Sequence, residues 1–275
     1  VTLRRLRAWA FAAALAAAAG AARAAPAPEQ GWDLPFDASW DGHRVDRLIH
    51  FTTIATTILF VVAGAMLLVA LVRHGRRHRA RHDHGTKGSI ALVVGFVAIV
   101  ALAVDGFLFV HTLVDMERVF WNFAAAEENR ETVRIEVQAH QWAWSARYAG
   151  EDQRFNTPDD VVTLNDIRVP SGVPVLVQLA SVDVIHSFAL PNFRVKRDAV
   201  PGEITKLTFQ ARVEGEYEIS CAQHCGPNHY KMRGVLTVLP RDRYDEWLRL
   251  SGALARRAYD PEDAEAHWGW DWRTE

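Results

Sequence analysis

Both cysteines of this chain fall in one short stretch, Cys221-Ala222-Gln223-His224-Cys225-Gly226-Pro227-Asn228-His229-Tyr230-Lys231-Met232. Two thiols, an imidazole and a thioether so close together form a soft donor set. Such a set selects copper or zinc over magnesium or calcium, and the thioether favours a copper electron-transfer site because zinc rarely takes methionine. A second imidazole is available at His186, in Val184-Ile185-His186-Ser187-Phe188. The plain alternative is a Cys221–Cys225 disulfide, with His229 and Met232 as ordinary loop residues, since cysteine pairs outside the cytoplasm are often oxidised. A disulfide, however, does not need the histidine and methionine that follow the second cysteine, or a histidine on another strand. Two thiolates could instead bridge two copper ions, with one histidine per copper and two weak axial ligands completing the shells.

These residues resemble the binuclear copper A site of cytochrome c oxidase subunit II, and the similarity extends beyond the loop. Asp183-Val184-Ile185-His186-Ser187-Phe188, Lys196-Arg197-Asp198-Ala199-Val200-Pro201-Gly202 and His140-Gln141-Trp142-Ala143-Trp144-Ser145 are each similar to stretches of that family, in the same order. The resemblance covers roughly Val45 to Pro240. It implies that Cys221 and Cys225 bridge both coppers, that His186 and Met232 complete one, and that His229 and the backbone carbonyl of Gln223 complete the other. In the family the first tryptophan of the Gln-Trp-x-Trp stretch passes electrons from cytochrome c, so Trp142 is the candidate for electron entry. Asp183 is the candidate for donor docking.

The implied function is that of the electron-entry subunit of a respiratory oxidoreductase and translocase. It would take electrons from cytochrome c and pass them to a haem-copper catalytic subunit I that reduces oxygen to water, with subunit III as a further partner. The spans hold no obvious haem-ligand pair, so this chain alone would not reduce oxygen. Some positions depart from the family. Gln223 replaces the glutamate that usually holds a magnesium ion against the catalytic subunit, which puts that magnesium site in doubt. Arg147 stands where the family often has an acid, so Gln223 and Arg147 both read as lost negative charge near the donor surface. Gly85-Thr86-Lys87-Gly88-Ser89 lacks the glutamate that guards one proton-entry route in the family, and that role is not transferred.

The elements that must position these residues are legible as a two-helix transmembrane hairpin followed by an all-β cupredoxin-like sandwich or barrel. Residues 1–25 read as a signal peptide: Arg4, Arg5 and Arg7, an alanine-rich run, then Ala22-Arg23-Ala24. A periplasmic lead-in at 26–48, rich in proline, is expected to be irregular. Residues 49–72 contain no Asp, Glu, Lys or Arg and suit a transmembrane helix. A second span at 90–114 is broken only by Asp105, a functional candidate by its place in a membrane, and His111. Between them, 73–89 carries Arg73, Arg76, Arg77, Arg79, Arg81 and Lys87 against Asp83, which places this loop in the cytoplasm and both termini in the periplasm of a bacterial inner membrane.

The copper A domain is expected at 115–240, with strands at 133–140, 175–180, 204–209, 216–221 and 235–239 separated by turns at Pro170-Ser171-Gly172, Pro201-Gly202 and Glu214-Gly215. Tyr217, Ile219 and Cys221 share a strand face, so the first thiol continues an inward row. Trp142 and Trp144, two apart, are expected to share a face in the same way. A tail at 241–275 is helix-like around Tyr244 to Arg257 and ends with Trp268, Trp270 and Trp272.

From Asp115 onward there are 19 Lys and Arg against 26 Asp and Glu, a negative domain that would steer a basic donor and gives nucleic acid no footprint. No Cys-x-x-Cys-His occurs, so covalent haem c is excluded. Two other classes remain in view: a metal-free quinol-oxidase-type structural subunit, which would lack the cysteines and Met232, and a membrane-anchored copper-handling protein, which would hold one exchangeable copper on exposed soft ligands.

Overall fold

The computed structural model describes residues 34–73, 75, 84–260 and 262. The expected signal peptide, most of the basic loop and Trp268, Trp270 and Trp272 lie outside them. The chain divides into two compact units, His43–Asn122 and, separately, Val1–Gly42 with Phe123–Glu275.

The first unit is a helical hairpin. Helices α1 (Gly42–Arg73) and α2 (Lys87–Asp115) each contain an 18-residue window of mean hydropathy 2.6, none of it buried. A helix that is apolar and uncovered all round suits lipid rather than water. At 1.5 Å per residue, both are longer than the roughly 30 Å hydrocarbon core. Inside α1, Thr52, Thr53, Thr56 and Thr57 turn their hydroxyls back onto the carbonyls of Leu48, Ile49, Thr52 and Thr53, so none of these four hydroxyl hydrogens faces lipid unsatisfied. Thr86 caps α2 and forms a reciprocal capping box with Ser89. The helices meet through Phe51 and Phe107, whose ring centres are 4.4 Å apart, and through an ion pair of 3.0 Å between Arg44 and Asp115. Asp105 is exposed on α2. A π-helical turn at Met116–Phe120 and the short helix α3 (Phe123–Glu128) follow.

The second unit is a sandwich of two five-stranded sheets. One has the order β3 (Val161–Leu164), β2 (Ala143–Tyr148), β1 (Val133–His140), β5 (Pro174–Ser181), β8 (Thr205–Gln210). The other runs β4 (Asp166–Pro170), β10 (Arg233–Leu239), β9 (Gly215–Cys221), β6 (His186–Leu190), β7 (Val195–Ala199). Neighbours are antiparallel except β1 with β5 and β4 with β10. Ile135, Val137, Val175, Val177, Ile219 and Leu236 fill the space between the sheets, and Phe193 packs edge-on against Phe209 and Tyr217 at 5.2 and 5.1 Å. Helix α4 (Arg241–Ala258) covers one side, with Trp247 edge-on to Tyr148 at 5.1 Å.

Two details differ from the sequence reading. The lead-in is partly built into the sandwich: Ser39 bridges Ala211, Trp40 N–H donates to the Gln210 carbonyl, and α1 already begins at Gly42. Arg147 is not on a donor surface. It is 1% exposed, directly opposite Glu136 in the β1–β2 register, and its guanidinium is ion-paired to the Glu136 carboxylate beneath the 150–160 loop. Its other arm donates to Asn156 Oδ1 at 2.8 Å, and Phe155 lies across it. The charge that departs from the family is therefore consumed inside the domain.

This buried pair gives the first prediction. Arg147→Met strands a carboxylate in the interior and lowers unfolding free energy by about 3–5 kcal/mol, whereas Glu136→Leu with Arg147→Met recovers most of that loss. Urea unfolding of the full chain followed by tryptophan fluorescence measures both. Asp160, 3.7 Å from Arg147, gives a second. Burial raises its carboxyl from 3.8 to about 6, against the hydrogen bond from Asn156 and the Arg147 charge. The folded value lies above the unfolded one, so this group's contribution is greatest below pH 3.8 and is lost as pH rises through about 6. Asp160→Asn removes that fall, and the wild-type minus variant stability difference is then flat above that range.

Candidate metal centre

The β9–β10 connection forms the site because its ends are tied together. Cys221 N–H donates to the Met232 carbonyl at 3.3 Å, and Ala222 N–H donates to the Ser187 carbonyl of β6 at 2.9 Å. A 3-10 turn at His229–Lys231 returns the chain, with Met232 N–H donating to the His229 carbonyl at 3.1 Å. His186 opens β6, and the pairing of Phe188 with Cys221 sets its height against the loop.

All six atoms implied by the resemblance converge. The Cys221 and Cys225 sulfurs are 3.7 Å apart, too far for a disulfide bond of about 2.05 Å. Metal–thiolate bonds of about 2.3 Å let one ion touch both sulfurs across that gap. His186 Nδ1 lies 3.1 Å from Met232 Sδ and 4.0 Å from Cys221 Sγ. His229 Nδ1 lies 3.5 Å from Cys225 Sγ, and the Gln223 carbonyl oxygen 3.2 Å from Cys221 Sγ. His186, Cys225 and Met232 are buried, while Cys221 and His229 are half-buried. Burial, reinforced by the neighbouring Cys221 thiol, pushes the Cys225 thiol up to about 12, so a metal that enters must displace protons.

Asp183 has inward work. Its Oδ1 faces His186 Nε2 at 2.8 Å and accepts from Val184 N–H at 2.6 Å, and its Oδ2 accepts from Gln141 N–H at 2.6 Å. Partial burial opposes its charge, but the bonds from His186, Val184 and Gln141 outweigh that and hold the carboxyl below its ordinary value. With Nε2 held by Asp183, Nδ1 is the ring nitrogen of His186 that faces the sulfurs.

Trp142 and Trp144 do not share a strand face. Trp142 lies in the β1–β2 turn, half-buried, whereas Trp144 is wholly buried in β2, edge-on to Phe188 at 5.2 Å and to His186 at 6.0 Å. A turn between them breaks the period on which that expectation rested. The Trp142 indole N–H and the Gln141 side-chain amide both donate to the Cys225 carbonyl, at 3.3 and 2.7 Å. Gly226 makes this approach possible. Its φ is +121°, and a Cβ there would lie 2.8 Å from Gln141 Nε2 and 3.3 Å from the Trp142 ring. The contributions of Gln141 and Gly226 were not read from the sequence; only the position of Gly226 beside a cysteine hinted at one.

A helical membrane hairpin and a cupredoxin-like sandwich whose loop gathers soft donors define a membrane-bound protein with a metal pocket of copper type. Residues 133–239 match the family described as cytochrome c oxidase subunit II, periplasmic domain. The chain is 30% identical to an alternative cytochrome c oxidase subunit 2 of Bradyrhizobium diazoefficiens, over 84% of this chain and 91% of that protein. It is 24% identical to the cytochrome c oxidase subunit 2 of Synechocystis sp., over 78% of this chain and 74% of that protein. The crystal structure of the periplasmic domain of cytochrome oxidase subunit II of Bradyrhizobium japonicum is also similar, with 26% identity and a TM-score of 0.40 over 44% of this chain and 94% of that one. The chain belongs to the cytochrome c oxidase subunit 2 family. Family and donor set together indicate copper.

The orienting role of Asp183 yields a prediction. Asp183→Ala weakens copper retention about 10- to 100-fold in competition with a chelator. Asp183→Asn, whose amide oxygen still accepts from Nε2–H, weakens it less.

Proposed function

We propose that this chain is the electron-entry subunit of a haem-copper oxidase, accepting electrons from a cytochrome c and handing them to a catalytic subunit that reduces oxygen to water. The observation that carries this reading is the convergence of both thiols, His186, His229, Met232 and the Gln223 carbonyl directly beneath the Trp142 contact. Cys221 and Cys225 would bridge two copper ions, with His186 and Met232 on one and His229 and the Gln223 carbonyl on the other. Bound there, the pair supplies a one-electron carrier.

The chain's own residues do the rest. The sandwich fixes His186 on a strand, the Cys221–Met232 backbone bond fixes the loop, and Asp183 fixes the imidazole. Donors held this way move little when charge changes, which keeps the reorganisation of electron transfer small. Cys225 and Met232, at 2% and 1% exposure, keep part of the donor set out of water, which speaks against an exchangeable copper-delivery site. The same soft donors speak against a metal-free structural subunit. Trp142 offers a half-exposed ring whose N–H reaches the Cys225 carbonyl, a short route from the surface to a thiolate ligand. The exposed Gln223 gives a magnesium ion only a neutral amide, so no magnesium role is proposed.

The test uses the assembled oxidase. Trp142→Leu slows cytochrome c oxidation at least ten-fold, on the order expected for losing a positioned transfer group, while copper content and the visible spectrum stay unchanged. Unchanged turnover in a fully copper-loaded variant would remove Trp142 from the route.

A further inference from the structure

Within the helical hairpin, at the end away from the basic loop, lies a cavity of about 190 Å³. Arg44, Arg47 and Leu48 of α1 line it, facing Val110, His111 and Asp115 of α2. Its depth is informative. Arg47 stands two residues before the apolar stretch that begins at Ile49, and Asp115 follows Val114, the last residue of the second span. The cavity thus sits where hydrocarbon gives way to headgroups.

Its charge is unbalanced. Asp115 is the one carboxylate in its lining and is engaged by Arg44 at 3.0 Å. Arg47 makes no ion pair or hydrogen bond among the described residues. His111 packs on Phe107, its Nδ1 2.9 Å from the Phe107 carbonyl and its ring centre 3.9 Å from that of Phe107. The remaining wall, Leu48 and Val110 with Phe107, is apolar. Guanidinium forks match phosphate oxygens, and an apolar wall running into the bilayer matches an acyl chain.

We propose that this cavity binds the phosphodiester headgroup of an anionic phospholipid, with Arg47 as its principal cation. The site ties a lipid to the junction of the two spans, and it involves none of the residues of the metal centre.

The test places the full chain in nanodiscs containing photoactivatable phosphatidylglycerol and maps the labelled peptides. Labelling concentrated at 44–51 and 107–115 is expected. Arg47→Gln reduces it about five-fold, the effect of removing one interfacial cation, while Arg73→Gln at the opposite end of α1 leaves it unchanged. Equal copper content and melting in both variants verify the fold. Labelling unaffected by Arg47→Gln, equal labelling by photoactivatable phosphatidylcholine, or displacement by millimolar inorganic phosphate would each overturn the proposal, the last by showing a site for a free anion.

Discussion

The backbone bond from Cys221 N–H to the Met232 carbonyl closes the soft-donor loop at its neck, and the metal centre depends on that closure. Fixing a loop costs about 1–2 kcal/mol of backbone entropy per residue. Continuation of the β9–β10 ladder, the Ala222–Ser187 bond and the turn at His229–Lys231 offset that cost without any metal. The donors are consequently gathered before an ion arrives. A flexible loop carrying the same residues would have to order itself on each binding event, and would reorganise with each electron.

A second ring of contacts joins this centre to its surroundings. Asp183 links the His186 imidazole to the backbone of Gln141, and Gln141 and Trp142 both reach the Cys225 carbonyl. His186, Cys225 and the turn bearing the half-buried indole are thus parts of one hydrogen-bonded assembly. The bare backbone at Gly226 permits it, since any side chain there would push the turn off the loop. The sandwich beneath contributes stiffness: Trp144 and Phe188 wedge against each other directly behind His186.

Much of this was legible in the sequence, for identifiable reasons. The donor loop is dense in unusual residue types, the spans are long apolar runs, and β1 and β9 alternate between apolar and polar residue types. What was missed lacked such a signal. His186 was expected on a strand, but the extent of that strand was not read: every residue of β6 is buried, so His186-Ser187-Phe188-Ala189-Leu190 shows no period of two. The β1–β2 turn occupies only Gln141 and Trp142, too little to mark a break between two strands. Arg147 reads as a surface charge until its cross-strand partner Glu136 is placed opposite it, a pairing that depends on register and a covering loop. The hydrogen bonds of Asp183 span a turn and two strands, and so emerge only in three dimensions.

The central claim is that one chain holds two copper ions bridged by Cys221 and Cys225. Copper-to-protein ratio together with low-temperature electron paramagnetic resonance of the copper-loaded full chain tests it most directly. The account predicts two coppers per chain and a hyperfine pattern split equally by both nuclei, from a single shared unpaired electron. One copper per chain with splitting from a single nucleus, or a Cys221–Cys225 disulfide that refuses metal after reduction and reloading, would contradict it.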